Sequence, residues 1–199
     1  MSMLSLLDAI GESGWAVFLK EANTVWGYPT VLVLHTFGMV FVVGISVALA
    51  LRTIGYASEI PLASLRKYVP LMWAGFCLNL LSGTVLFLID GRNFATMPAM
   101  WIKLTAVAVA VVYSTRIVGS MLSTPTAQVS PAGRKLGYTV LLAWAIAVAA
   151  GRVTAYDALV QTQTAVAVVL FAVVVIAVVA VTLRRTSSEP VERRGRVAT

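Results

Sequence analysis

Five apolar stretches, each close to the length that crosses a bilayer, constrain this chain more than any other feature. A spanning helix needs about 20 mostly apolar residues, because each residue advances about 1.5 Å through hydrocarbon about 30 Å thick. The stretches are 29–51, 69–89, 100–119, 136–156 and 159–183. They predict an all-α fold, a polytopic transmembrane helix bundle of five spans in one membrane domain, 29–183. The fifth stretch is almost pure Val, Ala, Leu and Ile, so it reads as the most lipid-facing helix.

Composition excludes the main alternative. Of 199 residues, 59% are hydrophobic and only 12% are charged, and the mean hydropathy is +0.90. A soluble domain carries about 25% charged residues. The net charge of +7 suits nucleic acid in principle, but the basic residues flank apolar spans, where insertion topology accounts for them. The partner implied is a lipid bilayer, and nucleic acid is not expected. The single cysteine, Cys77, rules out an internal disulfide and a cysteine-cluster metal site. The N-terminus shows no signal-peptide pattern, so the first span is expected to act as its own insertion signal.

Basic residues also set the orientation. Arg52, Arg66 and Lys67 follow span one; Arg116, Arg134 and Lys135 follow span three; Arg184, Arg185, Arg193, Arg194 and Arg196 form the tail. The intervening segments carry Lys20, then Arg92 and Lys103, then Arg152. The positive-inside rule puts the richer segments in the cytoplasm. The N-terminus is therefore expected outside and the C-terminus inside, with 184–199 a basic, disordered cytoplasmic tail. Residues 1–28 read as an interfacial amphipathic helix pair broken at Gly11–Gly14, with Trp15, Trp26 and Tyr28 in the aromatic belt. Residues 61–68 read as a short cytoplasmic interfacial helix and 121–133 as a loop.

Small residues spaced by four allow close helix approach. They occur at Gly44 and Ala48, at Gly75, Asn79 and Gly83, and at Ala143, Ala147 and Gly151.

Polar groups inside a bilayer are costly and so are the first functional candidates. His35, the only histidine, lies in span one, roughly 7 Å to the outer side of the bilayer centre. A neutral imidazole can bind heme iron or copper, or carry protons. Its other reading is an interhelical hydrogen bond to a Ser, Thr or Asn. Arg152 keeps its proton and must snorkel or find an anion. Asp90 and Asp157 fall at the same boundary, so the candidates are a salt bridge or a site for a carboxylate or heme propionate. Asn79, near the middle of span two, reads as interhelical glue. His35, Asn79, Asp90, Arg152 and Asp157 thus form the candidate polar membrane cluster, with His35 and Arg152 as its cofactor-binding candidates and His35 alone as a metal ligand. No catalytic residues are assigned.

Several motifs together carry a resemblance. They are Trp26-Gly27-Tyr28-Pro29, Leu34-His35-Thr36-Phe37-Gly38, Leu51-Arg52-Thr53-Ile54-Gly55, Pro70-Leu71-Met72-Trp73-Ala74-Gly75-Phe76, the run 98–103, and Gly151-Arg152 with Ala155-Tyr156. From about Trp15 to Tyr156 the chain resembles a large, uncharacterised family of small bacterial membrane proteins. A fainter likeness links that family to copper-resistance membrane proteins and to four-helix b-type cytochromes. The resemblance implies a multi-pass protein of the bacterial inner membrane and raises heme b as a cofactor. The chain departs from the family pattern at Leu32, where a carboxylate is expected, and at Ala50, where an aspartate is expected. Late in span three Tyr113-Ser114-Thr115-Arg116 stands where many relatives carry a second histidine. A bis-histidine heme within one chain is therefore excluded, and any heme ligation would pair His35 with a methionine, water or another subunit.

Three functions follow in order of expectation. The first is a non-catalytic membrane module, an accessory subunit packing against other membrane subunits or a second copy. The second is a b-type heme or quinone electron-transfer module using His35. The third is a small transporter or metal-handling protein. A membrane hydrolase is disfavoured, since no metal-binding histidine cluster or Gly-x-Ser-x-Gly elbow is present.

Overall fold

Prolines and glycines set where the helices of the computed structural model start and stop. The structure describes residues 2–22, 24–56, 58–123 and 130–154, with seven isolated positions between 163 and 177. Helix α1 (Met3–Gly11) and α2 (Gly14–Glu21) are the expected N-terminal pair. Helix α3 (Tyr28–Ile54) opens with Pro29 in its first turn, where a missing N–H breaks no helical bond. It closes at Gly55, whose φ of 99° is left-handed. There the Gly55 and Tyr56 amides donate to the carbonyls of Arg52 and Leu51, satisfying the last turn.

Helix α4 (Leu62–Arg66) is the short helix expected between spans one and two. Helix α5 (Val69–Ile89) coincides with the second apolar stretch. Helix α6 (Gly91–Thr96) is a single short piece, and α7 (Pro98–Ser123) extends into the expected loop. Helix α8 (Pro131–Val153) begins five residues before the apolar stretch at 136. Its start is fixed by Ser130, whose Oγ accepts the Gly133 amide at 3.0 Å, with Pro131 in the first turn. Hydropathy finds the part of a helix that lipid touches; caps find its ends.

Four helices, α3, α5, α7 and α8, are long and apolar enough to cross a membrane, and the described residues contain no strand. This is a helical membrane protein. In a separate unit that begins at Asp157, the isolated described positions 163–177 are helical and exposed. The fifth span as a whole, the tail and Asp157 lie outside the described residues.

Within the first unit α3 is central, packing on α5 and α8, while α7 packs on α8. The core is built from Val42, Leu49, Met72, Ala110, Ile117, Val140, Ala143, Trp144 and Ala147. Outward positions are large and apolar: Leu81 is 68% exposed and Val40 58%, as lipid contact requires. Backbones meet at Gly38 of α3 and Gly75 of α5. A Cβ on Gly38 would lie 2.8 Å from the Gly75 carbonyl oxygen, and one on Gly75 would lie 2.6 Å from Phe41 Cβ. At the α3–α8 crossing, a Cβ on Gly137 would meet the Ala50 carbonyl oxygen at 2.9 Å. Ala143 and Ala147 are buried as their spacing predicts. Gly44 is not a packing position: nothing lies within 4 Å of its Cβ direction, because the inward stripe of α3 runs through Gly38, Val42, Ser46 and Leu49.

The N-terminal pair folds back on the bundle. Helix α1 rests on α6 and the end of α5. Leu7 sits on Gly91, and Arg92 grips Asp8 through both carboxylate oxygens.

Candidate functional site

His35 and Asn79 hold each other across α3 and α5. The Asn79 amide Nδ2 donates to the His35 backbone carbonyl at 2.9 Å, which fixes the orientation of the asparagine amide. The His35 ring turns its Nδ1 to the Asn79 backbone carbonyl at 3.1 Å and to Ser82 Oγ at 3.2 Å. Ser82 spends its own proton on the Leu78 carbonyl at 2.6 Å, so toward the imidazole it offers lone pairs. The third group near Nδ1, Asn79 Nδ2 at 3.4 Å, is turned to the His35 carbonyl, so with two acceptors facing it Nδ1 is assigned the proton. Nε2 is then the unprotonated nitrogen of the neutral ring, and no described residue hydrogen-bonds it. The ring lies against Gly83, where a Cβ would stand 3.0 Å from Cε1 and 3.3 Å from Nδ1.

Depth follows from position. His35 lies seven residues into α3 and Ser82 seven residues before the end of α5, so each is about 10 Å from its helix end. An amide or imidazole at that depth without a partner would be expensive. Here the pair satisfies one amide and one ring nitrogen with two backbone carbonyls.

The third helix contributes Lys103, five residues into α7. Its stem runs over Gly151 of α8, with Cε 3.4 Å and Cδ 3.5 Å from where a Cβ would stand. A Cβ at 151 would touch this stem at ordinary van der Waals distance. The ammonium lies within electrostatic reach of His35 and forms no ion pair among the described residues. Sequence reasoning counted Lys103 with the loop charges. Its place inside the third apolar stretch was the available signal, and Gly151, spaced four from Ala147, was the second.

Of the five sequence candidates Asp157 lies outside the described residues, and the other four do not form one cluster. His35 and Asn79 meet directly. Arg152 is exposed in the last turn of α8, next in sequence to the glycine beneath Lys103. Asp90 belongs elsewhere. It caps the α5–α6 corner, accepts from Asn93 Nδ2 at 3.1 Å, and lines a polar surface cavity of about 410 Å³ with Asp8, Glu12, Lys20 and Arg92. Asp90 is eight residues beyond Ser82, about 12 Å along the helix, so it cannot share the His35 site. In that cavity Arg92 hydrogen-bonds Asp8 and holds its carboxyl below the usual carboxylate range.

Among the described residues no three of His, Cys, Asp and Glu converge as metal ligands would. The arrangement offers one imidazole with a bare Nε2, one nearby cation and a network that locks the ring. No family model, curated protein or solved structure matches this chain.

Proposed function

We propose that the protein is a non-catalytic membrane module, an accessory subunit of the bacterial inner membrane with its N-terminus outside. The observation that carries this reading is the reciprocal His35–Asn79 bonding. It spends the most conspicuous polar groups of the bundle on joining two helices. Among the described residues no three of His, Cys, Asp and Glu converge as metal ligands, and Ser82, which faces His35 Nδ1, turns its proton to the Leu78 carbonyl. The test is a reduced-minus-oxidised visible spectrum of the detergent-purified chain, before and after hemin, beside His35→Ala. A flat spectrum in both proteins, with a stoichiometric membrane partner retained by the variant, is the expected result. A Soret band that vanishes in the variant overturns it.

One observation favours a second reading, a b-type heme or quinone module. Metal-bound histidines characteristically donate their other ring N–H to a carbonyl, which fixes the tautomer. His35 has that arrangement, with Nδ1 on the Asn79 carbonyl. In this reading His35 Nε2 would hold the heme iron, and Lys103 and Arg152 would be the cations for its propionates. The heme would supply one-electron transfer, while Asn79 and Ser82 would hold the imidazole plane. The sixth ligand would come from a methionine, water or another subunit.

A further inference from the structure

A second polar joint lies about 16 Å along α3 from His35, eleven residues further on at Ser46. Ser46 is 1% exposed and Ser114 of α7 is 2% exposed. Both line a cavity of about 10 Å³ that also touches Met72 and Trp73 of α5. Ser46 donates its proton to the Met72 thioether at 3.5 Å, a weak acceptor, so its oxygen lone pairs remain to accept. The Ser114 hydroxyl is buried with no partner. A serine inside a helix ordinarily turns its hydroxyl onto the carbonyl four residues back. Ser114 instead faces the cavity, and buried hydroxyls are rarely left unpaired.

We propose that one water molecule is bound in this cavity, bridging Ser46 and Ser114 and joining α3, α5 and α7. A bound water needs about 10–15 Å³ and two to four polar partners. The space is of that size. Ser114 supplies a donor and an acceptor, Ser46 an acceptor, and the Met72 sulfur lies alongside. An apolar occupant would leave the Ser114 hydroxyl unsatisfied, and a larger polar ligand would not fit. The periodicity of α7 shows why the site is there: Lys103 and Ser114, like His35 and Ser46, are eleven residues apart. That is about three helical turns, so both pairs lie on inward stripes. The bundle therefore carries two polar joints, one built from side chains and one completed by solvent.

Radiolytic hydroxyl-radical footprinting of the detergent-solubilised full chain tests this. A bound water ionised in place modifies the neighbouring thioether, whereas bulk radicals do not reach Met72 at 2% exposure. Met72 oxidation is expected to exceed that of Met100, which is 8% exposed, and to fall several-fold in Ser114→Val, whose methyls fill the cavity. Ser114→Ala, which cannot overpack, is expected to lower it as well. Met72 at background in the native chain, or unchanged in both variants, overturns the proposal. It would mean that Ser114 turns back onto the Ala110 carbonyl and the cavity is dry.

Discussion

A Cβ placed on Gly38 would stand 2.6 Å from the backbone nitrogen of Asn79. The glycine therefore decides how closely α3 approaches the helix that carries the partner of His35. Gly38 is the third residue after His35, so the close crossing and the polar pair share one face and one turn of α3.

Gly38→Ala must push backbone rather than side chain. Overpacking costs about 1–3 kcal/mol, and more when the main chain has to move. The same substitution at Gly44, which meets nothing within 4 Å, instead gains roughly 0.5–1 kcal/mol from the helix preference of alanine. Thermal melting in detergent is expected to move down for Gly38→Ala and up or not at all for Gly44→Ala. Equal shifts would show that α3 does not approach α5 through Gly38.

The two His35–Asn79 bonds should be lost one side chain at a time. Interhelical hydrogen bonds in membranes are worth about 0.6 kcal/mol on average and up to about 1.7. Each bond here runs from one side chain to the other residue's backbone carbonyl, which an alanine substitution keeps. His35→Ala and Asn79→Ala are each expected to lower stability within that range, with nearly additive losses in the double variant. A large coupling energy would mean that the two side chains act chiefly on each other.

The legible part of this protein was its lipid contact. Runs of Val, Leu and Ala located four helices because lipid demands apolar side chains along the whole length of a span. Helix ends were less legible, since α8 starts on the polar Pro131–Lys135 segment under the control of the Ser130 cap. The site was half legible. His35 and Asn79 stood out as polar residues in apolar stretches, and each is the other's partner. Asp90 stood out in the same way, but only helix direction could separate it from His35. Lys103 was hidden because a basic residue near a span end looks like a topology signal, and the Gly151 its stem lies against belongs to a helix almost fifty residues later.

Helix α1 is held on α6 by a pH-dependent contact. Arg92 grips Asp8, first by hydrogen bonding and then by charge, and holds its carboxyl below the ordinary value. A carboxylate with a lowered folded pKa stabilises the docked state above its unfolded pKa, and that contribution is lost as pH falls through the folded value. Amide exchange of residues 3–11, corrected for intrinsic rates, is expected to accelerate only on acidification below the usual carboxylate range. Asp8→Asn should exchange faster at neutral pH and lose the acid step. An unchanged acid step in Asp8→Asn would assign it to another group.

The same ion pair bears on orientation. Arg92 is a basic residue on the face expected outside, and Asp8 neutralises it, with Glu12 and Asp90 in the same surface cavity. The opposite face keeps Arg66, Lys67, Arg134 and Lys135, while Arg52 binds the connecting loop through the Ile60 carbonyl at 2.6 Å. The uncompensated positive charge thus gathers at the α3–α4 end, which the positive-inside rule puts in the cytoplasm. In a Cys77→Ser background, Ser2→Cys is expected to react with a membrane-impermeant maleimide in intact spheroplasts. Ser58→Cys, next to the loop held by Arg52, should react only after permeabilisation. The reverse pattern would invert the topology, and it would place the bare Nε2 of His35 in the cytoplasmic half of the bilayer.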